Sequence, residues 1–343
     1  MHSQNEILLL KGHEVSALLK GQELEIIESV RRAYQAHARQ QTSLPHSTFL
    51  RFPAEEKNRV IALPAYLGDS FDVAGIKWIA SFPNNIHRQM DRASAIIILN
   101  STQTGRPEAI IEGSIVSAKR TAASAALAAQ QIHRDRGETV FGLVGTGPIN
   151  FEIARFLLAA RDELDSCIVF DLDERRGRQF VTNFETEFPH CSIELASKLD
   201  DVLWNCSLIA IATNAARPHI ANLSMCTPGT TILHVSLRDL EPELILNCDN
   251  VLDDIDHVCR AQTSVHLAEQ LVDNRDFLRC TLGEILNGVA SPRRGADDLV
   301  IFSPFGLGIL DLAVSSLVCD LAGRTHTGTV IESFLPDSVV QVI

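Results

Sequence analysis

A lysine stands in the middle of an apolar stretch, where a charged residue calls for an explanation. Lys77 is the central residue of GIKWI, within the β-type segment 73–80. Burying an ammonium group is costly unless the group is paired or used in chemistry. Lys77 is therefore a candidate catalytic residue, and a lysine on an edge strand that points into solvent is the alternative that the sequence leaves open.

Three arginines are candidates for binding carboxylate groups. Arg120 lies next to Thr121 in an alanine-rich segment, and no acidic residue stands three or four positions from it. A guanidinium group can bind a carboxylate through two parallel hydrogen bonds. Arg51 and Arg92 lie in the β-rich first third of the chain, where either alone is more typical of a solvated surface. Together the arginines indicate a pocket for a substrate that carries several carboxylates.

An aspartate follows an apolar segment in the second half of the chain. Asp239 comes shortly after the strand-like segment 230–235, and open α/β sheets bind their ligands just past the carboxyl ends of parallel strands. An aspartate that caps the next helix is the competing interpretation. His234, on the strand itself, is more typical of a buried core histidine. The twelve histidines show no metal-ligand spacing, so no metal site is predicted.

A nucleotide-binding fingerprint occupies residues 139–171. The apolar run 140–144 ends at Gly145-Thr146-Gly147, and a helical period begins at Pro148. This strand, turn and helix would lay a pyrophosphate against backbone N–H groups at a helix N-terminus. Asn150 replaces the third glycine, which predicts a helix slightly further from its strand.

An acid at the end of the next strand indicates which dinucleotide binds. Asp171 ends the apolar run 167–170, where such folds place the carboxylate that binds the ribose hydroxyls. A carboxylate repels a 2′-phosphate, which favours NAD. Arg175 and Arg176 follow closely and leave NADP open.

The surrounding segments predict an α/β protein. Short β-rich runs between residues 47 and 111 predict a largely antiparallel sheet, with an amphipathic helix over 21–40 beside it. A firm helix over 114–133 leads into alternating strands and helices, which predict a doubly wound parallel sheet. An apolar helix over 307–322 returns to the first domain.

Composition excludes several classes of protein. The formal net charge of -13 disfavours nucleic acid and anionic membranes as partners. The eight cysteines are scattered without a CxxC pair, as in reduced cytoplasmic proteins. No apolar run is long enough for a membrane span, and we expect a cytoplasmic protein.

The quoted segments together resemble the ornithine cyclodeaminase/mu-crystallin family along nearly the whole chain. The resemblance rests on IKWI, DRASAIIILN, TGRPEAIIEGSIVSAKRTAASAALAA, GLVGTGPIN and IFSPFGLGILDLA. Within the family the chain is most similar to members that oxidise N-(1-amino-1-carboxy-2-ethyl)-glutamate in siderophore biosynthesis. The loop SLRDLEPEL lacks the lysine that cyclodeaminases carry after their aspartate.

The resemblance implies an NAD-dependent amino-acid dehydrogenase that acts on a CH–NH bond. Hydride transfer and imine hydrolysis would release 2,3-diaminopropionate and 2-oxoglutarate. Lys77 would be the general base or polarising group, Asp239 would shuttle protons, and Arg51, Arg92 and Arg120 would bind carboxylates together with Lys77. The implied cofactor-binding residues are Arg120, Thr121, Gly145, Thr146, Gly147, Pro148, Ile149, Asp171, Thr213, Ser236 and Gly306.

The resemblance also implies a domain organisation and leaves other functions open. Residues 1–120, joined by 303–343, would form a substrate-binding and dimerisation domain, and 121–302 the Rossmann NAD domain of a homodimer. The alternatives are a cyclodeaminase, a ketimine reductase or an alanine dehydrogenase, and a non-catalytic NAD(P)H-binding protein such as a crystallin.

Overall fold

A computed structural model describes residues 5–134 and 137–336, which divide into two compact units. The first contains the described parts of residues 1–22, 39–117 and 308–343, and the second contains 23–38 and 118–307. The predicted boundaries therefore differ from this division chiefly at residues 23–38. That amphipathic helix was placed in the first domain, but its Tyr34 hydroxyl lies 2.7 Å from the Ser124 hydroxyl of the second unit. Periodicity identifies an amphipathic helix without showing which core its apolar face meets.

The elements are numbered in chain order. The strands are β1 (Ile7–Leu10), β2 (Thr42–Ser43), β3 (Thr48–Phe52), β4 (Glu55–Leu67), β5 (Val73–Ser81), β6 (Ala93–Ser101), β7 (Pro107–Glu112), β8 (Val140–Val144), β9 (Ser166–Phe170), β10 (Ser192–Leu195), β11 (Leu208–Ile211), β12 (Thr231–His234), β13 (Asp249–Leu252), β14 (Leu278–Thr281), β15 (Val300–Ser303) and β16 (Thr329–Ile331). The helices are α1 (Gly12–Leu18), α2 (Glu23–Ala38), α3 (Gly113–Ile132), α4 (Pro148–Ala160), α5 (Glu174–Glu187), α6 (Leu199–Asn205), α7 (Pro242–Leu246), α8 (Ile255–Val258), α9 (Ser264–Val272), α10 (Leu282–Leu286) and α11 (Gly308–Thr325), with a short 3₁₀ turn at Pro83–Arg88.

The first unit is built on the predicted, largely antiparallel sheet. Its strands follow the order β16-β1-β7-β6-β5-β4-β2, with β3 also paired to β4, and β1 runs parallel to β7. Helix α11 packs against β4, β5 and β6 and covers one face. On the opposite face Trp78 and Ile96 are paired neighbours that stay 41% and 43% exposed.

Strand β4 is longer than the short β-rich runs that the sequence predicted, because it passes through Pro64. At that residue β4 pairs with β5 on one side, while β3 pairs only as far as Ala62 and β2 begins only at Tyr66. The missing N–H of Pro64 therefore falls in a short edge segment, where proline is tolerated.

The second unit has the predicted doubly wound fold. Its parallel sheet has the order β10-β9-β8-β11-β12-β15-β13-β14, and the residues of β11, β12, β13 and β15 are buried throughout. The chain order reverses between β8 and β11, and the carboxyl ends of these strands mark the place where such sheets bind ligands. The predicted fold class is confirmed.

The part of the chain that the structure describes contains neither a helix that could span a membrane nor a cluster of metal-binding side chains. No helix in the ranges 5–134 and 137–336 has the length and hydropathy that a bilayer span requires. Those ranges also contain no group of three or more His, Cys, Asp or Glu side chains placed to hold a metal ion.

Candidate functional site

The turn after β8 has the backbone that a pyrophosphate-binding loop requires. Gly145 adopts a φ of +96°, and a Cβ atom there would lie 2.6 Å from the Ala212 carbonyl oxygen, so only glycine fits. Gly147 is the N-cap of α4, and a Cβ atom on it would meet nothing within 4 Å. Pro148 follows at the first helical position. The first turn of α4 therefore offers backbone N–H groups and open space to an anion.

Asn150 takes part in the turn instead of simply replacing a glycine. Its side chain is buried, and its Nδ2 donates to the carbonyl oxygens of Val144 and Gly145 at 2.8 and 2.7 Å. The sequence predicted only a helix standing further from its strand. The observed role is a pair of hydrogen bonds that fixes the path of the chain between β8 and α4.

Asp171 lies at the end of β9, beside the same turn. One carboxylate oxygen accepts from the Thr146 N–H at 2.8 Å and from the Thr146 hydroxyl at 2.6 Å, while the other accepts from the Asp173 N–H at 2.9 Å. Burial opposes ionisation, but these hydrogen bonds outweigh it and lower the pKa of Asp171 below its ordinary value. The structure thus brings Gly145, Thr146 and Asp171 together, as the fingerprint predicted.

Asp239 is surrounded by side chains that can form hydrogen bonds with its carboxylate. The Thr213 hydroxyl donates to one carboxylate oxygen, and the Ser236 hydroxyl donates to the other. The Nε2 atom of His234 lies 3.2 Å from the second oxygen. Thr213 and Ser236 were predicted to bind the cofactor, and in the structure both hydroxyls are held by Asp239.

This environment keeps Asp239 ionised although the side chain is fully buried. Burial raises its pKa, but the hydrogen bond and charge interaction with His234, together with the Ser236 and Thr213 hydroxyls, lower it to about 2. The loop that delivers Asp239 contains Leu237 with a φ of +67°, a conformation that costs a non-glycine residue free energy. The carbonyl of Asp239 accepts the N–H groups of His219 and Ile220 at 2.9 and 2.8 Å, which anchors the far side of the loop.

His234 is more than the core histidine that the sequence favoured. It is fully buried at the end of β12, and its Nε2 lies 3.2 Å from the backbone N of Asp239 as well as from the carboxylate. The Nε2 atom can therefore accept the Asp239 N–H or, when protonated, donate to the carboxylate, and the imidazole contacts both groups. A histidine five residues before an aspartate was visible in the sequence, but only the turn between them shows that they meet.

A second buried aspartate holds the turn that follows β15. The carboxylate of Asp253 accepts the N–H groups of Phe305 and Gly306 at 2.9 and 2.7 Å. Burial raises the pKa of Asp253, and these two N–H groups oppose that effect. Gly306 has a φ of +92°, and a Cβ atom on it would lie 2.5 Å from Nη1 of Arg120. The guanidinium of Arg120 thus packs against Gly306, and this pair of predicted cofactor-binding residues is brought together.

Two further predicted cofactor-binding residues of the second unit are neighbours in sequence of residues already described. Thr121 is half-buried next to Arg120 on α3, and Ile149 is half-buried in the first turn of α4.

Lys77 is buried and paired, in the first unit. Its Nζ lies 2.7 Å from a carboxylate oxygen of Asp311 on α11 and donates to the Ser117 hydroxyl at 3.1 Å. The side chains of Lys77 and Asp311 are 2% and 0% exposed, so the edge-strand alternative is excluded. Asp311 was not singled out from the sequence. Its only signal was that it is one of two acids, with Asp320, inside the apolar helix pattern 307–322.

Arg51 and Arg92 lie at the end of the same sheet. Arg92 is half-buried, its Nε lies 3.4 Å from the Ser81 hydroxyl, and burial lowers its pKa. Arg51 is exposed on β3, with its guanidinium 5.7 Å from the centre of the Phe49 ring. Ser81 and Lys77 stand four residues apart on β5 and therefore share a face of the sheet.

Comparison with known proteins adds three findings. A model of the ornithine cyclodeaminase/mu-crystallin family matches residues 7–325. The chain is 25% identical over 335 residues to N-((2S)-2-amino-2-carboxyethyl)-L-glutamate dehydrogenase of Staphylococcus aureus, which covers 96% of this chain and 99% of the relative. It is also 25% identical to an archaeal alanine dehydrogenase, solved as a dimer with bound NAD, with a TM-score of 0.85 and coverage of 95% and 99%.

A further solved structure supports the fold. The pyrroline-2-carboxylate reductase of Thermococcus litoralis, in complex with NADH and L-proline, superposes with a TM-score of 0.87 at 22% identity, covering 94% of this chain and 99% of the other. The names of these relatives agree with the predicted class of enzyme, and the two solved structures contain the predicted type of cofactor.

Proposed function

The chain belongs to the ornithine cyclodeaminase/mu-crystallin family, and from this membership we propose that it is an NAD-dependent dehydrogenase that cleaves N-(1-amino-1-carboxy-2-ethyl)-glutamate. Substrate, NAD and water would give 2,3-diaminopropionate, 2-oxoglutarate, NADH and a proton. The Staphylococcus aureus relative supports this choice because its name specifies the same compound with its stereochemistry. A role in siderophore biosynthesis follows from the same choice.

The observation that carries the proposal is the buried ammonium of Lys77 on the sheet face that also holds Ser81, the hydrogen-bond partner of Arg92. A substrate with three carboxylates and two amines suits a surface that presents cationic side chains several residues apart. A small monocarboxylate such as alanine would leave part of that surface unused.

The residues that would hold NAD fit its shape and charge. The pyrophosphate would lie on the Gly145–Pro148 turn, where the space above Gly147 is open, and the ribose hydroxyls would bind Asp171. Ile149, Thr121 and Gly306 would complete the cofactor surface. When bound, NAD supplies the oxidant that takes a hydride from the amine-bearing carbon and leaves an imine.

The two charged groups would have different tasks. Lys77 is already in an ion pair with Asp311, so it fits a polarising role at a substrate carboxylate or imine better than the role of a base. Asp239 is held as a carboxylate, and its negative charge would orient the substrate amine and the attacking water. Arg120 would bind a substrate carboxylate or a cofactor phosphate.

The open face of the first sheet supports a homodimer. Trp78 and Ile96 are exposed neighbours on adjacent strands, and apolar side chains that lie together on a sheet surface are typical of an interface. We propose that this face packs against the same face of a second copy. All eight cysteines are free thiols, which suits a reducing compartment such as the cytoplasm.

The function is tested by following NADH absorbance with NAD and one of three substrates. We expect NADH and 2-oxoglutarate from N-(1-amino-1-carboxy-2-ethyl)-glutamate, and none from ornithine or alanine. Ammonia and proline from ornithine without net NADH would instead identify a cyclodeaminase. NADH from alanine alone would identify an alanine dehydrogenase, and NAD binding without turnover of any of the three would favour a binding protein.

A further inference from the structure

The strand register brings a third arginine into line with the two that the sequence singled out. Arg51 on β3 pairs with Arg59 on β4, and Arg59 pairs with Ser81 on β5. Paired residues of antiparallel strands point to the same face of a sheet. Since Arg92 lies 3.4 Å from the Ser81 hydroxyl, three guanidinium groups are directed to one end of this face. We call Arg51, Arg59 and Arg92 the arginine row.

Such a row concentrates positive charge at one place, since Arg51 and Arg59 lie directly opposite one another on paired strands. The chain as a whole has a formal net charge of -13, so a general excess of basic residues does not explain the cluster. Arg59 and Arg92 are half-buried and Arg51 is exposed, which leaves the row within reach of a small solute. A guanidinium group has five N–H donors, so each arginine of the row can bind a substrate carboxylate in addition to its contacts within the protein.

The row also lies at a suitable distance from Lys77. Ser81 follows Lys77 by four residues on the same face of β5, which corresponds to about 13 Å along an extended strand. Arginine side chains reach back over part of that distance. An extended amino acid with carboxylates at both ends could therefore contact Lys77 at one end and the row at the other.

We propose that Arg59, together with Arg51 and Arg92, forms a subsite for the distal carboxylate of the substrate and so selects amino acids that carry two or more carboxylates. This inference rests on the proposed function and deepens it, because it names the group that discriminates a polycarboxylate from alanine or ornithine. Arg59 acts in substrate selection, and the bond-making groups lie elsewhere.

The test replaces Arg59 by glutamine and by lysine and measures steady-state kinetics with the tricarboxylate substrate. We expect Arg59→Gln to raise KM about ten- to hundredfold, the effect of losing one charged hydrogen-bonded contact, with kcat changed less than about threefold. Arg59→Lys keeps the charge and should recover part of the loss. Arg178→Gln is the matched control, since Arg178 is an exposed arginine paired with Glu174 on α5. An unchanged KM in Arg59→Gln, or an equal rise in the control, would overturn the proposal.

A binding measurement separates the subsite from the reaction. Calorimetry with 2-oxoglutarate as the probe, in the presence of NADH, needs no turnover. Weaker binding in Arg59→Gln than in wild type supports the subsite even if the tricarboxylate is not oxidised, in which case only the proposed reaction fails. Equal affinity of the two proteins for 2-oxoglutarate would overturn the subsite whatever the outcome of the kinetic assay.

Discussion

Lys77 and Asp239 are both buried and charged, but the protein stabilises the two charges in different ways. Lys77 is matched by a full opposite charge, the Asp311 carboxylate at 2.7 Å, which comes from a helix more than two hundred residues further along the chain. Asp239 is surrounded by the Thr213 and Ser236 hydroxyls and the His234 imidazole, all within 26 residues of it.

This difference has consequences for stability and for chemistry. Removing one member of a buried ion pair leaves the other charge uncompensated, so the Lys77 region is sensitive to single substitutions. Asp239, in contrast, is kept ionised by two hydroxyl groups together with the His234 imidazole. Its negative charge is suited to attract a substrate amine. The two regions should therefore respond differently when a partner is removed.

The largest effect is expected from Lys77→Met. The substitution keeps an unbranched side chain but removes the ammonium group, and we expect kcat to fall by roughly 10²- to 10⁴-fold, the usual contribution of a positioned proton-transfer or polarising group. NAD binding, measured by calorimetry, should be unchanged because the fingerprint residues are untouched. The double variant Lys77→Met/Asp311→Asn is the control, since it also removes the Asp311 carboxylate, which Lys77→Met alone leaves buried without its ion-pair partner. If the double variant regained activity, Lys77 would have no chemical role.

Replacing Asp311 alone tests the ion pair itself. Asp311→Asn leaves a buried ammonium without its counter-charge, and we expect the free energy of unfolding to fall by about 3 kcal/mol or more. Urea denaturation of wild type and variant measures this directly. Asp320→Asn is the control, because Asp320 lies on the exposed side of the same helix α11. A loss of similar size in the control would show that the helix and not the ion pair is responsible.

The contribution of the Asp239 carboxylate to the free energy of unfolding should depend on pH in the acid range. Its folded-state pKa of about 2 lies below the ordinary value of about 3.9 in an unfolded chain. The stabilisation of the folded state by the ionised Asp239 is therefore present above pH ~4 and is lost as the pH falls through about 2. We expect it to amount to about 2–3 kcal/mol at neutral pH. Denaturation of wild type and Asp239→Asn from neutral pH to acid should show the two stabilities converging, and a constant difference would contradict the assignment.

The smallest effect is expected from the positioning residue His234. His234→Leu removes the hydrogen bond between the imidazole and Asp239, and we expect kcat to fall about tenfold or somewhat more, with little change in KM for NAD. His234→Gln can place an amide near the position of Nε2 and should restore part of the activity. Equal losses in the two variants would point to a packing role for the imidazole.

Much of the fold follows from local patterns. The apolar runs ending at Gly145 and Asp171 determine two neighbouring parallel strands, and the change from short β-rich runs to alternating strands and helices marks the second unit. These signals are short in range, so one sequence is enough to recognise them. Lys77 and Asp239 could be singled out for the same reason, because a charge in or after an apolar strand is visible locally.

The partners of these residues could not be predicted in the same way. Asp311 meets Lys77 only because α11 packs on β5, and Arg59 joins Arg51 only through the register of β3 and β4. Tertiary packing and register depend on the whole core, whereas periodicity reports one element at a time. The assignment of α2 to the second unit was missed for the same reason.

The most direct test of the proposed reaction is to follow one hydrogen atom. The purified protein would be mixed with NAD and the tricarboxylate substrate deuterated at the α-carbon of its glutamate part, and the NADH formed would be analysed by mass spectrometry. If that carbon gives up the hydride, each NADH carries one deuterium and an equal amount of 2-oxoglutarate appears. NADH without deuterium, or no NADH while the protein binds NAD normally, would contradict the proposal.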